Sequence, residues 1–233
     1  MFAFIYLASQ SPRRQALLSQ LGVCFTPLLA SMNENVDALE IPLPNETAYL
    51  YVERVARAKV MAAQLRWQNR VNQGENLPWA PILCADTTVS LGASETEKIP
   101  LHSSFTAGEI IGKPQDTGDA QRILEMLSGK EHRVLTAVCV MAQPEIAICS
   151  VVQTSRVRFA NLDKATIEAY IASGEPLGKA GAYGIQGLGG ALIESIAGSY
   201  SGIMGLPLYE TAQLLIQAKV CFALNPNLIN SYE

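Results

Sequence analysis

Two long runs rich in β-branched residues, His132–Met141 and Cys149–Phe159, are separated only by a short stretch carrying Gln143-Pro144-Glu145. Runs rich in β-branched residues on either side of a Pro-centred turn predict the two strands of a hairpin. Such strands pair antiparallel, because parallel neighbours need a crossover long enough to hold a helix. Phe2–Ala8, Val23–Leu29, Ile82–Leu91 and Ala191–Ile196 read as further strands. Helices are predicted for Pro12–Leu21, with Ser11 as cap and Pro12 in the first position, and from Asn45/Thr47 to about Arg66. Three more are predicted. One follows Asp116, where Ala120, Ile123, Leu124 and Leu127 form an i, i+3, i+4, i+7 stripe; one follows Asp163; the last covers Leu206–Gln217. Arg66–Pro81 reads as an exposed loop and Gly92–Gly112 as irregular. The fold class that follows is α/β, a mixed twisted sheet with flanking helices, in a single domain over 1–233.

Composition limits the chemistry. The 233 residues are 49% hydrophobic and 16% charged, against a usual charged share of about 25%, so the chain has a well-buried core. The net charge of −4 argues against binding nucleic acid or an anionic membrane through a basic surface. An anionic ligand must instead meet a local cluster of cations. No apolar run reaches the ~18 residues of a membrane span, and Phe2–Ala8 lacks the basic flank of a signal peptide. Five cysteines, with no C-x-x-C pair, read as reduced thiols of a cytoplasmic protein. With only His102 and His132, a zinc cluster or a Ser-His-Asp triad has little to build on.

Four segments carry the candidate chemistry. Ser9-Gln10-Ser11-Pro12-Arg13-Arg14 passes from a strand into a helix. Free N–H groups at a helix start bind anions. Two arginines in that first turn oppose the helix dipole, which makes sense if an anion sits among them. Lys59 falls within the apolar stripe of Tyr49, Val52, Val55, Ala56 and Ala63, where a lysine must snorkel or find an anion. Asp86 interrupts the buried run Ile82–Val89 and is the best candidate for a catalytic carboxylate. Glu34 could join it, because Mg²⁺ is held by one or two carboxylates plus phosphate oxygens. Lys113 precedes a helix within Gly112-Lys113-Pro114, although Gly108–Lys113 is one residue short of a P-loop. Finally, ten of the seventeen glycines fall between Gly174 and Gly205, around Lys179, Tyr183 and Gln186. Dense glycine lets backbone approach a ligand. The chemistry assembled is metal-assisted attack of water on a phosphoanhydride.

Taken in order, these pieces resemble the Maf family of nucleoside triphosphate pyrophosphatases. The resemblance runs through Leu7–Arg14, Glu34, Val55–Lys59, Ala85-Asp86-Thr87, Gly112-Lys113-Pro114 and Leu127-Ser128-Gly129. Its most specific stretch is Lys179–Gly187, followed by Gly198-Ser199-Tyr200 and Gly205-Leu206-Pro207. It implies an inosine triphosphate pyrophosphatase-like (Maf/Ham1) fold, with two lobes around a central cleft. It also implies cleavage between the α- and β-phosphates and a divalent cation, usually Mg²⁺. Asp86 would be the base on water and a metal ligand with Glu34. Ser9, Ser11, Arg14, Lys59 and Lys113 would contact phosphate. Arg13, Thr87 and Gln186 match the branch that prefers dTTP and UTP, where a sister branch acting on 7-methyl-GTP carries Trp, Gln and Glu. A Gln amide both donates and accepts, matching a uracil or thymine edge. A homodimer is expected. The competing expectation is a non-enzymatic nucleotide-binding regulator of cell division. Two departures stand out: Asn33 lies where an acidic residue is common, and the loops 66–81 and 92–112 are longer than usual.

Overall fold

A computed structural model describes residues 1–31, 34–92, 109–144 and 148–225. Among them one seven-stranded sheet forms the centre, in the order β2-β1-β3-β5-β6-β7, with β4 beside β3. The strands are β1 (Ile5–Leu7), β2 (Phe25–Pro27), β3 (Ile82–Leu91), β4 (Glu109–Ile111), β5 (Glu131–Met141), β6 (Cys149–Phe159) and β7 (Ile193–Ala197). β1 runs parallel to both β2 and β3, and the remaining pairs are antiparallel. The sheet is therefore mixed, as the central hairpin required. β5 and β6 pair in continuous register from Glu131↔Arg158 to Val140↔Cys149.

The helices are α1 (Pro12–Gln20), α2 (Ala48–Asn72), α3 (Thr117–Leu127), α4 (Lys164–Ala172), α5 (Tyr200–Met204) and α6 (Leu208–Gln217). Hydrophobic clusters on the two sheet faces fix their places. Ile82 and Cys84 pack with Val52, Val55, Ala56, Val60 and Ala63 of α2. Leu83 and Ala85, one residue out of phase, pack with Leu17 and Leu18 of α1 and Leu214 and Leu215 of α6. A third cluster joins α3 and α4 to Phe159 and Tyr183. The predicted α3 stripe of Ala120, Ile123, Leu124 and Leu127 is fully buried there. Side-chain caps form at Asp116 and Asp163 as the sequence places them. The Asp116 carboxylate accepts the Asp119 N–H at 2.8 Å, and Asp163 accepts that of Thr166 at 2.8 Å.

Five elements differ in extent from the sequence reading. β1 and β2 are shorter than Phe2–Ala8 and Val23–Leu29, although the Leu28 N–H still bonds the Leu7 carbonyl at 3.0 Å. α2 does not stop at Arg66 but runs on to Asn72. Its last turns still pack inward: Arg66 is buried, and Trp67 meets Trp79 edge-on at 4.8 Å. β7 begins at Ile193, after a 3-10 turn over Leu188–Leu192. The last predicted helix is α6 alone, beginning at Leu208 after the separate short α5. Asn33, Glu145 and most of the 92–112 segment lie outside the described residues.

β5 covers one edge of β3 from Ile82 to Ser90. On the other edge β1 pairs only with Ile82 and Leu83, and β4 only with Val89–Leu91. Between them, Ala85–Thr88 have no strand partner on that side among the described residues. β1 is also the strand at which the chain moves to β2 on one side and β3 on the other. The carboxyl end of such a switch point is where open α/β sheets leave a crevice.

The third cluster also contains a buried base. His132 is 1% exposed, its Nε2 lies 2.9 Å from the Tyr183 hydroxyl, and it packs edge-on against Phe159 and Tyr183. Burial pushes its pKa from 6.5 down to about 4. Below pH 6.5 the unfolded chain takes up a proton that the folded chain refuses, so folding stability falls as pH drops from 6.5 towards 4. The His132→Phe variant should lack this component. Between pH 7 and 4 its stability, measured by urea denaturation, should fall on the order of 3 kcal/mol less than that of the parent chain.

Candidate active site

The gap in the sheet opens into a cavity of about 680 Å³. Every residue singled out from the sequence lines it: Ser9, Ser11, Arg13, Arg14, Glu34, Lys59, Asp86, Thr87, Lys113 and Gln186. Strand alternation divides the two central ones. Asp86 shares the α2-facing side of β3 with Ile82 and Cys84, whereas Thr87 shares the α1-facing side with Leu83 and Ala85.

On the α2 side, the Asp86 carboxylate accepts a hydrogen bond from the Lys59 ammonium at 2.6 Å. Both side chains are nearly buried, at 8% and 12% exposure. The lysine of the apolar stripe has thus found its anion. It has in fact found two, because the same ammonium donates to Glu40 at 2.7 Å. Glu40 ends a 3-10 turn over Asp37–Glu40, and its second oxygen accepts from Lys113 at 2.9 Å. The result is a chain of alternating charge, Asp86–Lys59–Glu40–Lys113, running from the sheet to the rim. Burial alone would lower the Lys59 pKa, but Asp86 and Glu40 outweigh it and raise it. Burial likewise opposes the Glu40 charge, and the two lysines hold its pKa below the usual carboxylate range.

Glu34 occupies a different arrangement. Arg66 grips both of its oxygens, at 2.9 Å from Nε and 2.6 Å from a terminal nitrogen, and donates to the Leu28 carbonyl at 2.7 Å. Hydrogen bonds from Arg66 are the main cause of its lowered pKa. Lys59 and Arg66 stand seven residues apart on α2, so both project from the buried stripe. The sequence reading placed Arg66 in an exposed loop and did not single out Glu40. Arg66 was findable, because it continues the Val52–Val55–Lys59–Ala63 stripe by one more turn. Glu40 was not, because nothing local distinguishes it from a solvated acid.

On the α1 side, a polar relay closes the base of the cavity. Arg14 donates to the Gly205 carbonyl at 2.8 Å, to the Ser9 hydroxyl at 3.3 Å and to the Thr87 hydroxyl at 3.2 Å. The Thr87 and Thr136 hydroxyls lie 2.9 Å apart, and Thr136 donates to the Gly202 carbonyl at 2.8 Å. Since a hydroxyl has one proton, Thr136 spends its own on Gly202 and Thr87 must donate to Thr136. Ser11 stands at the N-cap of α1 without a side-chain cap bond, and its N–H donates to the Ser9 hydroxyl at 3.2 Å. The first turn of α1 holds no acid, so its dipole and N–H groups face the cavity uncompensated. Arg13 is half-buried beside them. Burial lowers its pKa, and Glu175 partly restores it.

At the far end the glycine-rich segment brings Gln186 to the cavity wall, and the Gly181 N–H donates to the Gly112 carbonyl at 3.0 Å, next to Lys113. Among the described residues no group of three or more His, Cys, Asp or Glu is arranged to hold a metal, and no helix is long and apolar enough to cross a membrane. All five cysteines are free thiols.

Comparison with known proteins bears on this geometry. Residues 4–218 match the family model described as Maf-like protein. The chain belongs to the Maf family. A dTTP/UTP pyrophosphatase of Cupriavidus pinatubonensis is 50% identical over 222 residues, covering 95% of this chain and 100% of that one. One of Ralstonia nicotianae is 52% identical over 216 residues, covering 93% and 94%. Among solved structures, the Ham1 protein of Staphylococcus aureus aligns with 67% of this chain and 72% of its own, with 13% identity and a TM-score of 0.35.

In this Maf chain the Lys59–Asp86 pair both lines the cavity and is a folding liability. Removing one partner of a buried pair strands the other charge and costs about 3 kcal/mol or more. Lys59→Met should therefore lose at least that much in chemical denaturation. Adding Asp86→Asn to it should recover more than half of the loss, since no charge is then stranded at the sheet. A double variant no more stable than Lys59→Met would contradict the pairing.

Proposed function

We propose that this chain hydrolyses dTTP and UTP between the α- and β-phosphates, releasing the nucleoside monophosphate and pyrophosphate. The observation that carries this reading is the nearly buried Asp86, set on Lys59 in the gap of the sheet and lining one cavity with the start of α1. Relatives about 50% identical over almost their whole length are named for this substrate pair. A carboxylate at the cavity floor with one oxygen on an ammonium is suited to take a proton from water. Ser9, Ser11, Lys113 and the α1 N–H groups supply donors for the phosphate oxygens. Lys59 can turn from Glu40 to phosphate without leaving Asp86. Arg14 holds this wall together and reaches phosphate only by giving up one of its present acceptors. Arg13, Thr87 and Gln186 set selectivity, with the Gln186 amide matching the donor and acceptor edge of uracil or thymine.

A divalent cation belongs to this reading. The residues present fit it: Asp86 and Glu40 already share one positive group, the Lys59 ammonium, and Mg²⁺ takes one or two carboxylates together with phosphate oxygens. Glu34 can serve only if Arg66 releases it. When bound, the cation neutralises charge developing on the transferred phosphoryl group. The chain's own residues do the rest. Asp86 accepts the proton, Lys59 holds its carboxylate in place, and the α1 start and Lys113 orient the polyphosphate.

A panel of nucleoside triphosphates with Mg²⁺, scored separately for pyrophosphate and orthophosphate, tests the reading. Pyrophosphate from dTTP and UTP is the expected product, and orthophosphate alone would overturn it. Asp86→Asn should stay folded and lose about 10²–10⁴ in kcat, the usual weight of a general base. Gln186→Glu, which replaces a donor-acceptor amide by an acceptor-only group, should lower kcat/KM for dTTP and UTP about tenfold. It should leave inhibition by pyrophosphate unchanged.

A further inference from the structure

The segment that presents Gln186 has no strand pairing of its own. Between Lys179 and Ile193 its regular structure is two 3-10 turns, Ala180–Ala182 and Leu188–Leu192. Such a stretch needs other partners for its backbone groups, and two side chains outside the cavity provide them. On one flank of Gln186, the Gly184 N–H donates to the Tyr170 hydroxyl at 3.1 Å. On the other, the Leu188 and Gly189 N–H groups donate to the two oxygens of the Glu175 carboxylate, at 2.9 and 3.0 Å. The Tyr170 hydroxyl in turn donates to Glu175 at 2.9 Å, so one connected pair holds both flanks. The glycines fit this arrangement. A Cβ on Gly187 would collide with the Glu175 carboxylate, and one on Gly189 would come within 2.6 Å of the Tyr170 hydroxyl. Tyr170 is itself fixed, 4% exposed on α4 in the third hydrophobic cluster. The Glu175 carbonyl also accepts from Lys179, closing the segment at its start.

We propose that Glu175, with Tyr170, is the positioning residue for base selection: it fixes where Gln186 stands without touching substrate itself. The proposal rests on the reading of Gln186 as the base-facing side chain. A charged acceptor with two oxygens is what the site requires, because it meets two adjacent backbone N–H donors and a hydroxyl at once. A Gln in its place keeps one acceptor and turns an NH₂ group against a backbone N–H. A Phe at 170 removes the hydroxyl that Gly184 uses and leaves the ring packing intact.

Three variants, Glu175→Gln, Tyr170→Phe and Gln186→Glu, are compared with the parent chain. For each, kcat and KM are measured on dTTP, UTP, dCTP and GTP, with thermal melting and the inhibition constant of pyrophosphate. The two latch variants should raise KM for dTTP and UTP about tenfold, lower the kcat/KM ratio of these substrates over dCTP and GTP by a similar factor, and bind pyrophosphate as before. Pyrophosphate engages only the phosphate side, so a general loosening of the fold would weaken it too. Glu175→Asp should restore part of the selectivity. If Gln186→Glu changes selectivity while both latch variants keep the parent ratio, the positioning role fails and the base reading survives. If Gln186→Glu leaves selectivity unchanged, the base reading fails and takes the proposal with it. Tyr170→Phe keeps the test decisive should Glu175→Gln melt below the assay temperature.

Discussion

The contact between Lys59 and Asp86 is the one on which the site depends. It places a lysine in the stripe of a core helix and an aspartate in the middle of a core strand, each of which would be costly alone. Neither side chain can be understood without the other. α2 must lie where its stripe meets the α2-facing side of β3, and Asp86 must sit where β3 has lost its neighbour on one edge. The same contact is open to the cavity through Glu40, which shares the ammonium. A buried pair of this kind is weak evidence for stability; what it does here is hold a carboxylate in the cavity wall.

The gap itself follows from ordinary sheet topology. β1 is short and turns directly into the Ser9–Arg14 segment, while β4 returns to β3 only at its far end. A strand bordered continuously on both edges would have left no room. The α1 side of the cavity is therefore the absence of a sheet neighbour, filled by a helix start. The opposite wall is a glycine-rich segment tied down by side chains rather than by strands. The glycine-rich segment also meets the end of β4, through the backbone bond between Gly181 and Gly112.

Much of this was legible in the sequence because it is encoded by contrast. Asp86 in an apolar run, Lys59 in an apolar stripe, arginines in a first turn and glycine crowding are all departures from what burial or dipoles favour, and all four line the cavity. The central hairpin fixed the mixed sheet by length alone. What was missed lacks contrast. Glu40 is an acid in a short 3-10 turn, and only the three-dimensional approach of α2 gives it the Lys59 partner. The last two turns of α2 were taken for a loop because their composition is polar, although Arg66 continues the stripe. Glu34 was paired with Asp86 by chemical type, and the fold gave it to Arg66. Glu175 was passed over because its partners are backbone groups of residues a dozen positions away, which composition does not record.

The relay beneath the cavity has a direction. Thr136 commits its proton to the Gly202 carbonyl, so Thr87 gives its own to Thr136 and takes a bond from Arg14. The hydroxyl of a position that faces the cavity is thereby turned inward, with a single lone pair left over. For a ligand, Thr87 is then less a donor than a shape. A larger residue in its place would act by occupying volume and by cutting Arg14 loose from the sheet.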